Sequence, residues 1–329
     1  MRRTKKLKYR VAVIGCGAVG VLYGTEKKRP TSASHAGAAV SNTKTVLAAL
    51  VDTDAKALAR AGELFPGVKR YASAGDCIKK ESPDMVVIAT PPSARLALIK
   101  LCVQHTVRAI ICEKPLANTA REARSIARAI AKSRALFVLN YQRRFSPLFE
   151  RVRRDIASGA LGRVEQVTCY YSNGLYNNGG HALDALLQLL GEDMAVNWAR
   201  VNKNASHPPG DPCVDAMLET KKGVRIVLQS VDQKAYGIFD IRLLGTRGER
   251  AFTDYGSTLM ETAARTSVFE GVRQLDRRRA LQRRADPQGT LAYAVACLEQ
   301  GTPPASGVKN GVQVMELLEK IQTYAQKNK

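Results

Sequence analysis

The chain has 329 residues, of which 45% are hydrophobic and 24% charged, and its formal net charge is +22 at pH 7. This length allows two domains with cores of their own. No apolar run of about 18 residues predicts a membrane span, and the basic N-terminus is not followed by the apolar segment of a signal peptide. We therefore expect a globular protein of the cytoplasm.

A short buried strand, a glycine turn and the start of a helix are predicted at residues 10–20. The apolar run Val11-Ala12-Val13-Ile14 leads directly into Gly15-Cys16-Gly17-Ala18-Val19-Gly20. These glycines match the G-x-G-x-x-G pattern, in which they allow a tight turn, the approach of a pyrophosphate, and close packing of helix on strand. The N–H groups at the helix N-terminus then attract phosphate charge. The turn predicts a dinucleotide site.

Asp52 follows the second predicted strand, Thr45–Val51. An acid at this strand end accepts hydrogen bonds from the adenosine ribose and repels a 2′-phosphate, which favours NAD over NADP. Its distance from the glycines exceeds the usual value of about 20 residues, and we expect an inserted loop and a short helix between residues 26 and 45 to account for the excess. The alternative is that Asp52 only opens the next turn.

Strands and helices alternate up to about residue 140, which predicts a doubly wound parallel sheet. Ligands bind such sheets beyond the carboxyl ends of the strands. Residues suited to ligand binding follow these predicted strands, namely Gly15, Asp52, Thr90, Pro91, Glu113, Lys114 and Asn140.

A different pattern begins at Tyr141. A helix is predicted at 147–158, strands at 164–171, 213–219, 224–230, 238–244 and 249–253, and helices at 181–190, 288–300 and 311–327. The short connections favour a mostly antiparallel sheet. We expect a Rossmann dinucleotide-binding domain over 1–140 and an α+β domain over 141–329, whose terminal helices are free to pack back on the first.

Five motifs, in this order along the chain, resemble the Gfo/Idh/MocA family of oxidoreductases, the group of glucose–fructose oxidoreductase and inositol dehydrogenase. They are the glycine turn, Ala89-Thr90-Pro91-Pro92, Glu113-Lys114-Pro115, Asn140-Tyr141-Gln142-Arg143-Arg144-Phe145 and Gly179-Gly180-His181-Ala182-Leu183-Asp184. The resemblance implies an N-terminal Rossmann domain and a C-terminal α+β domain. It also implies that the domain over 141–329 binds the substrate and that its open sheet serves oligomer contacts, and hence a homodimer or homotetramer.

The resemblance also assigns roles to individual residues. Lys114 matches the family's lysine near the nicotinamide and substrate, His181 the histidine of a D-x-G-x-H-x-x-D pattern, and Asp184 the last acid of that pattern. Two positions depart from the family. Asn177 stands where the pattern begins with an acid, and Arg95 stands where a histidine usually follows the Thr-Pro turn.

Oxidation of an alcohol by NAD needs a base for the hydroxyl proton and a positive group for the developing alkoxide. His181 suits the base, because imidazole ordinarily titrates near neutrality, and Lys114 suits the positive group. We expect them to approach the reacting carbon from different domains, Lys114 from a strand end of the first and His181 from a turn at Gly179-Gly180 of the second, with the nicotinamide opposite. The alternatives are a helix-start histidine bound to nearby backbone and a surface lysine closing a strand.

The remaining site candidates fall into two groups. Substrate binding is predicted for Arg143, Tyr176, Asn177, Asn178 and Asp184. Cofactor binding is predicted for Gly15, Gly17, Ala18, Val19, Gly20, Asp52, Thr90, Pro91, Glu113 and Lys114.

The cysteines and the charged runs add little chemistry. Seven cysteines lie scattered without a C-x-x-C pair or zinc spacing, which predicts reduced thiols and no metal site. Basic residues are concentrated at Arg2, Arg3, Lys5, Lys6, Lys8, Arg277, Arg278, Arg279, Arg283 and Arg284. This charge favours an anionic substrate group or non-specific nucleic-acid contact. No nucleic-acid motif accompanies it, so neither a specific nucleic acid nor a membrane is expected as a partner.

The sequence therefore predicts a cytoplasmic NAD-dependent dehydrogenase or reductase. It would transfer a hydride between the nicotinamide and a hydroxyl or keto carbon of a sugar, cyclitol or nucleotide-linked sugar. The alternative is a non-catalytic dinucleotide-binding regulator or sensor, which the departures at Asn177 and Arg95 keep open.

Overall fold

The computed structural model describes residues 8–25, 30–191, 193–282 and 289–327, with the backbone alone at 277–279 and 282. Of the basic runs, Arg2, Arg3, Lys5, Lys6, Arg283 and Arg284 lie outside the described residues. The chain divides into two compact units. The first comprises Met1–Gln142 and Asp286–Val312, and the second comprises Arg143–Ala285 and Gln313–Lys329. The sequence predicts two functional domains with a border after residue 140. The correspondence of these two units to those domains stays a prediction.

A six-stranded parallel sheet forms the core of the first unit. Its strands are β1 (Tyr9–Ile14), β2 (Thr45–Val51), β3 (Lys69–Tyr71), β4 (Met85–Ile88), β5 (Ala109–Cys112) and β6 (Leu136–Leu139). They lie in the order β3-β2-β1-β4-β5-β6, which is the dinucleotide-binding Rossmann order. β4 and β5 are buried along their whole length, as strands of a parallel sheet covered on both faces are.

Several helices of the described residues accompany this sheet. They are α1 (His35–Ser41), α2 (Ala55–Leu64), α3 (Ala74–Glu81), α4 (Pro92–Gln104), α5 (Ala120–Ala131) and α8 (Gly289–Gln300). Local sequence fixes several of their starts. Asp54, Ser73 and Thr119 accept backbone N–H groups at the N-termini of α2, α3 and α5. Pro92 occupies the first turn of α4, where a proline costs no hydrogen bond.

The helix expected directly after the glycine turn is interrupted. Residues 17–21 form only a turn, followed by a 3₁₀ turn at Leu22–Thr25, and α1 begins at His35. The N–H groups of His35 and Ala36 bond to the carbonyls of Val19 and Gly20 at 3.0 and 2.9 Å. In a continuous helix these carbonyls would bond to residues four positions further on. The prediction of a helix starting at the turn was therefore wrong, whereas the predicted short helix is confirmed as α1. The loop predicted before it falls partly on residues 26–29, which lie outside the described residues.

An eight-stranded sheet forms the core of the second unit. Its strands are β7 (Val164–Tyr171), β8 (Met194–Val201), β9 (Val214–Thr220), β10 (Arg225–Ser230), β11 (Phe239–Gly245), β12 (Gly248–Thr253), β13 (Thr258–Thr266) and β14 (Arg273–Gln282). Their order is β14-β13-β12-β11-β7-β10-β9-β8, and only β7 and β10 pair in parallel. The predicted mostly antiparallel sheet is confirmed, although β8, β13 and β14 were not predicted.

One face of this sheet is packed and the other is open. Phe149 of α6 (Pro147–Ala157) stacks on Phe252 of β12 with ring centroids 3.8 Å apart. On strand β9, buried residues alternate with half-buried or exposed ones, as expected of a sheet covered on one side. Two further helices are α7 (Gly180–Leu190) and α9 (Val308–Lys327).

Candidate active site

The carboxyl ends of four neighbouring strands of the first unit lie in register. Ile14 of β1 pairs with Val51 of β2 and with Ile88 of β4, and Ile88 pairs with Cys112 of β5. The residues that follow these positions, Gly15, Asp52, Ala89-Thr90 and Glu113-Lys114, consequently lie along one edge of the sheet. The structure thus places the predicted cofactor residues of the first unit side by side.

The three glycines of the turn have different surroundings. Gly15 adopts a φ of +101°, which favours glycine. A Cβ at Gly20 would collide with the carbonyl oxygen of Gly15, whereas a Cβ at Gly17 would meet no heavy atom within 4 Å. Gly17 and Ala18 are exposed. The turn is therefore tightly packed on its inner side and open at Gly17, which fits the approach of a pyrophosphate.

This difference predicts opposite outcomes for two matched substitutions. Gly17→Val leaves the fold intact, because the side chain enters open space, but it raises the Kd of NAD at least about tenfold by filling the approach to the turn. Gly20→Val lowers the melting temperature, because its side chain has no room. Calorimetric NAD titration and thermal unfolding measure both effects. A Gly17→Val protein that binds NAD normally would remove the turn from the cofactor site.

Asp52 lies directly against the glycine turn. Its Oδ2 accepts the backbone N–H of Cys16 at 2.7 Å, and its Oδ1 accepts the N–H of Asp54 at 2.9 Å. Burial, together with the charge of Asp52, raises the pKa of the Cys16 thiol to about 12. The turn therefore presents one carboxylate and an uncharged thiol, and the carboxylate is the group available to ribose hydroxyls.

The side chain of Arg95 is buried. It is 3% exposed, and its guanidinium donates to the carbonyl oxygens of Thr90 at 2.8 Å, Lys114 at 3.4 Å and Pro115. The Oγ1 of Thr90 is buried and has no hydrogen-bond partner among the described residues, which suits a polar group of a bound ligand. The departure at Arg95 thus supplies a cation that ties the end of β4 to the end of β5.

Glu113 belongs to a buried polar chain. Its Oε1 lies 2.7 Å from Nε2 of His35 and accepts a hydrogen bond from Asn140, whose Oδ1 accepts from Thr290 of α8. Burial acts to raise the pKa of Glu113, but the hydrogen bonds from His35 and Asn140 and the nearby positive charge outweigh it, so the pKa is lowered. The carboxylate predicted to meet the cofactor is thus ionised and held inside the unit.

Lys114 follows Glu113 at the end of β5. It is half-buried, its carbonyl oxygen is held by Arg95, and its peptide bond to Pro115 is cis. Arg95 thus holds the backbone of the motif at the carbonyl oxygens of Lys114 and Pro115. The side chain begins at the edge of the sheet where ligands of this fold bind.

His181 lies in the first turn of α7, but no glycine turn precedes it. Gly174–Gly179 form a π-helical segment that continues directly into α7, and Gly179 and Gly180 have helical φ and ψ values. Gly179 is close to Tyr171, which leaves little room for a side chain. The predicted turn at Gly179-Gly180 was therefore wrong. π-helical segments occur frequently at functional sites.

Asp211 holds the start of this π-helical segment. Its carboxylate accepts the backbone N–H groups of Tyr176 at 2.8 Å and Asn177 at 2.9 Å. The phenol of Tyr176 donates to Oε1 of Gln322 at 2.7 Å, and burial raises the pKa of Tyr176 to about 12. Tyr176, Asn177 and Asn178 are half-buried. Asn177 therefore has no carboxylate of its own, but the carboxylate of Asp211 binds its backbone N–H.

Asp184 forms a buried ion pair. It is 1% exposed, and its two carboxylate oxygens accept from Nε of Arg144 at 2.8 and 3.0 Å. Burial raises the pKa of Asp184 to about 6, against the opposing charge and hydrogen bonds of Arg144. Both oxygens of this predicted substrate ligand are therefore engaged within the second unit.

Loss of Arg144 should destabilise the protein in a pH-dependent way. We expect Arg144→Leu to lower the free energy of unfolding by about 3–5 kcal/mol near neutral pH, because it leaves a buried carboxylate without its cation. A carboxyl whose pKa is raised on folding stabilises the fold at low pH, and that contribution is lost as the pH rises through the folded-state value. The loss should therefore shrink towards acid pH. Urea unfolding at several pH values measures it.

The control is the double variant Arg144→Leu/Asp184→Leu. It should recover part of the lost stability and remove the pH dependence, because no buried charge remains. An equal loss for Arg144→Leu at all pH values would show that the carboxylate is not the cause.

Arg143 lies on an aromatic ring. Its guanidinium carbon is 3.5 Å from the ring centroid of Phe239, and its Nη2 donates to the carbonyl of Tyr255 at 3.1 Å. Burial lowers the pKa of Arg143 to about 10, and its Nε has no hydrogen-bond partner among the described residues. This cation can take a further acceptor, as the predicted anionic substrate group would provide.

Two further features concern the described residues as a whole. None of the helices within them combines the length and apolar character that crossing a membrane requires. In the same part of the chain, no three His, Cys, Asp or Glu side chains converge to hold a metal ion.

Comparison with known proteins connects this geometry to a family. The pattern of the Gfo/Idh/MocA group, described as "Oxidoreductase family, NAD-binding Rossmann fold", matches residues 9–141. Inositol 2-dehydrogenase 1 of Saccharopolyspora erythraea is 30% identical over 257 residues, which cover 73% of this chain and 72% of the relative. The chain belongs to the Gfo/Idh/MocA oxidoreductase family.

Solved structures share the fold of this Gfo/Idh/MocA oxidoreductase over 98% of the chain. A levoglucosan dehydrogenase in complex with NADH and L-sorbose has a TM-score of 0.80 and 17% identity, covering 98% of this chain and 97% of that one. The WlbA dehydrogenase of Bordetella pertussis, in complex with NADH and UDP-GlcNAcA, has a TM-score of 0.77 and 19% identity, with 98% of both chains covered.

The predicted family, the oxidoreductase class and the NAD cofactor are confirmed by these comparisons. They lend no support to the alternative of a non-catalytic regulator. The roles of individual residues remain predictions. Sequence reasoning missed Asp211 and His35, and it did not foresee that Arg144 pairs with Asp184. Of these three residues, only Arg144 lies in a motif that the sequence analysis identified, Asn140–Phe145.

Proposed function

We propose that the protein is an NAD-dependent dehydrogenase of a cyclitol or sugar, including nucleotide-linked sugars. The observation that carries this proposal is the register of the strand ends, which places the open turn at Gly17, Asp52, Thr90 and Lys114 along one edge. Support for the substrate class comes from the names of the relatives, among them inositol 2-dehydrogenases of Saccharopolyspora erythraea and Ralstonia nicotianae.

The described residues fit a bound dinucleotide. The N–H groups of the glycine turn would hold the pyrophosphate, Asp52 the ribose hydroxyls, and Thr90 would offer its unpartnered hydroxyl. When bound, NAD supplies the acceptor for the hydride. The protein must then orient the alcohol, accept its proton and stabilise the negative charge on its oxygen.

Two side chains are suited to accept the hydroxyl proton and to stabilise the negative charge on the substrate oxygen. The ammonium group of Lys114 stabilises negative charge developing on the substrate oxygen. His181 accepts the hydroxyl proton at an imidazole nitrogen, and it starts a buried helix whose preceding residues carry candidate substrate contacts, Tyr176, Asn177 and Asn178. Asp184 supports this helix through Arg144.

A substrate panel tests the proposal. Formation of NADH is followed with myo-inositol, neutral sugars and nucleotide-linked sugars as separate arms. We expect turnover in at least one arm, and we expect NAD to bind also when no substrate is present. Preference for a nucleotide-linked sugar would support an anionic ligand for Arg143, and preference for a neutral cyclitol would exclude it. No turnover in any arm would overturn the proposal.

Asp52 should set the choice between NAD and NADP. We expect the wild-type protein to bind NAD more tightly, and Asp52→Ala or Asp52→Asn to narrow the difference about tenfold, about 1.4 kcal/mol. Asparagine keeps an acceptor for the Cys16 N–H and removes only the charge. Asp54→Asn, two residues away and exposed, is the matched control. Equal titration curves for both cofactors would contradict this role.

We further propose that the open face of the second sheet is the interface of a homodimer or homotetramer. By strand register, Trp198, Met217, Val227 and Thr168 form one row across this face. Trp198 is 38% and Met217 49% exposed, so two large apolar side chains of this row lie at the surface. Sedimentation velocity measures the assembly, and a monomer at micromolar concentration would contradict it.

A cytoplasmic location is proposed as well. All seven cysteines are free and buried, which suits a reducing compartment. Fractionation of expressing cells tests this, and recovery in a secreted fraction would refute it.

A further inference from the structure

His35 connects two motifs that sequence reasoning treated separately. It begins α1, directly after the segment inserted between the glycine turn and that helix. Its backbone N–H donates to the carbonyl of Val19 in the glycine turn at 3.0 Å. Its imidazole Nε2 contacts Oε1 of Glu113 at 2.7 Å. One residue thus touches both the turn and the residue before Lys114.

This contact is part of the interior of the first unit. His35 and Glu113 have side chains only 8% and 9% exposed, so solvent barely competes for the hydrogen bond. The same oxygen of Glu113 accepts from Asn140, which in turn accepts from Thr290. Residues from α1 and α8 and from the ends of β5 and β6 therefore fix the Glu113 carboxylate.

We propose that His35 is a positioning residue for the reaction assigned to Lys114, acting through its hydrogen bond to Glu113. The inference rests on the proposed function, since it presumes that Lys114 works on the substrate. A fixed Glu113 holds the backbone from which the Lys114 side chain extends, while Arg95 holds the Lys114 carbonyl oxygen. Small displacements of a reacting group can lower rates by about a hundredfold.

Removing the imidazole has a specific electrostatic consequence. His35 from α1 and Arg95 from α4 act on Glu113 from the elements around it, and both favour its ionised form. Asn140 and Thr290 are neutral, and burial raises the pKa of Cys112 to about 12. Without His35, the burial of Glu113 loses two of the influences that oppose it, the hydrogen bond and the charge of the imidazole, while Asn140 and Arg95 remain. Glu113 should therefore take up a proton at higher pH.

The experiment compares kcat and KM across pH for the wild type, His35→Ala, His35→Gln and the double variant His35→Ala/Glu113→Gln. His35→Ala should lower kcat about tenfold, change the KM for NAD less, and add an acidic limb to the kcat profile as Glu113 protonates. His35→Gln keeps an N–H donor and should restore most of kcat without that limb. The double variant should show no added limb. His105→Ala, at an exposed histidine, is the control.

The possible results separate the proposals. A wild-type protein without turnover would overturn the proposed function and this inference together. An active wild type with an unchanged His35→Ala profile would overturn the inference alone. Equal losses in His35→Ala and His35→Gln, with lowered melting temperatures and no new limb, would show a merely structural role and overturn it too. If His35→Ala does not fold, Glu113→Gln replaces it: about tenfold lower kcat supports the inference, and wild-type kcat refutes it.

Discussion

Lys114→Ala is expected to lower kcat by about 10²–10⁴-fold while the Kd of NAD changes less than about tenfold. The ammonium group acts where negative charge develops on the substrate oxygen, a charge that is absent from the free dinucleotide. The surrounding fold should persist, because Arg95 holds the carbonyl of Lys114, and substitution of a side chain leaves that carbonyl in place. Steady-state kinetics and NAD titration on the same preparation separate the two effects.

Two controls make this result specific. Lys114→Arg keeps the charge but replaces a compact ammonium by a planar guanidinium, so it should recover only part of the rate. Lys100→Ala, at an exposed lysine of α4, should leave kcat and KM unchanged. Near wild-type turnover of Lys114→Ala would contradict the proposed role and leave a strand-closing surface lysine as the explanation.

The first sheet was predictable because its signals are local. Strands such as β4 and β5 are short apolar runs, buried along their length, and the polar residue after each marks the carboxyl edge. The parallel arrangement then follows from the alternation of strands with helices. This is why Gly15, Asp52 and Thr90 could be assigned to one edge from the sequence.

The interruption of the first helix was not predictable in its detail. The hydrogen bonds that bridge the interruption run from the N–H groups of His35 and Ala36 to the carbonyls of Val19 and Gly20, across the inserted segment. Residue periodicity reports hydrogen bonds to the fourth residue back, not across an excursion of this length. The sequence could indicate that something was inserted, but not that the helix resumes on the same carbonyls.

The side-chain partners of the site were beyond sequence reasoning for a similar reason. Arg144 and Asp184 lie far apart in the chain, and nothing local indicates that the carboxylate faces an arginine rather than a substrate. Arg95 was notable only as a departure from the family's usual histidine, yet it binds backbone carbonyls at two strand ends. Gly179 suggested a turn through its flexibility, whereas the nearby Tyr171 ring shows that its small size is what the helix requires.

His181→Ala is expected to reduce kcat by about 10²–10⁴-fold and to abolish the rise of kcat/KM through neutral pH, because the variant lacks the group that accepts the hydroxyl proton. NAD affinity should change far less than in Gly17→Val, since His181 lies in the second unit and the glycine turn in the first. Asp211 influences the expected size of this decrease in kcat. Asn177 cannot take a proton, and the nearby carboxylate of Asp211 is already bound to the N–H groups of Tyr176 and Asn177.

The alternatives to His181 can be ranked by the same measurements. If His181→Ala keeps near wild-type turnover across pH, another group is the base. Burial raises the pKa of Tyr176 to about 12, so its phenolate would be scarce near neutral pH, and Tyr176→Phe should then retain activity. Lys114 would remain as the candidate, and kcat in Lys114→Ala would lose its dependence on pH. His207→Ala, at an exposed histidine, is the matched control and should behave as wild type.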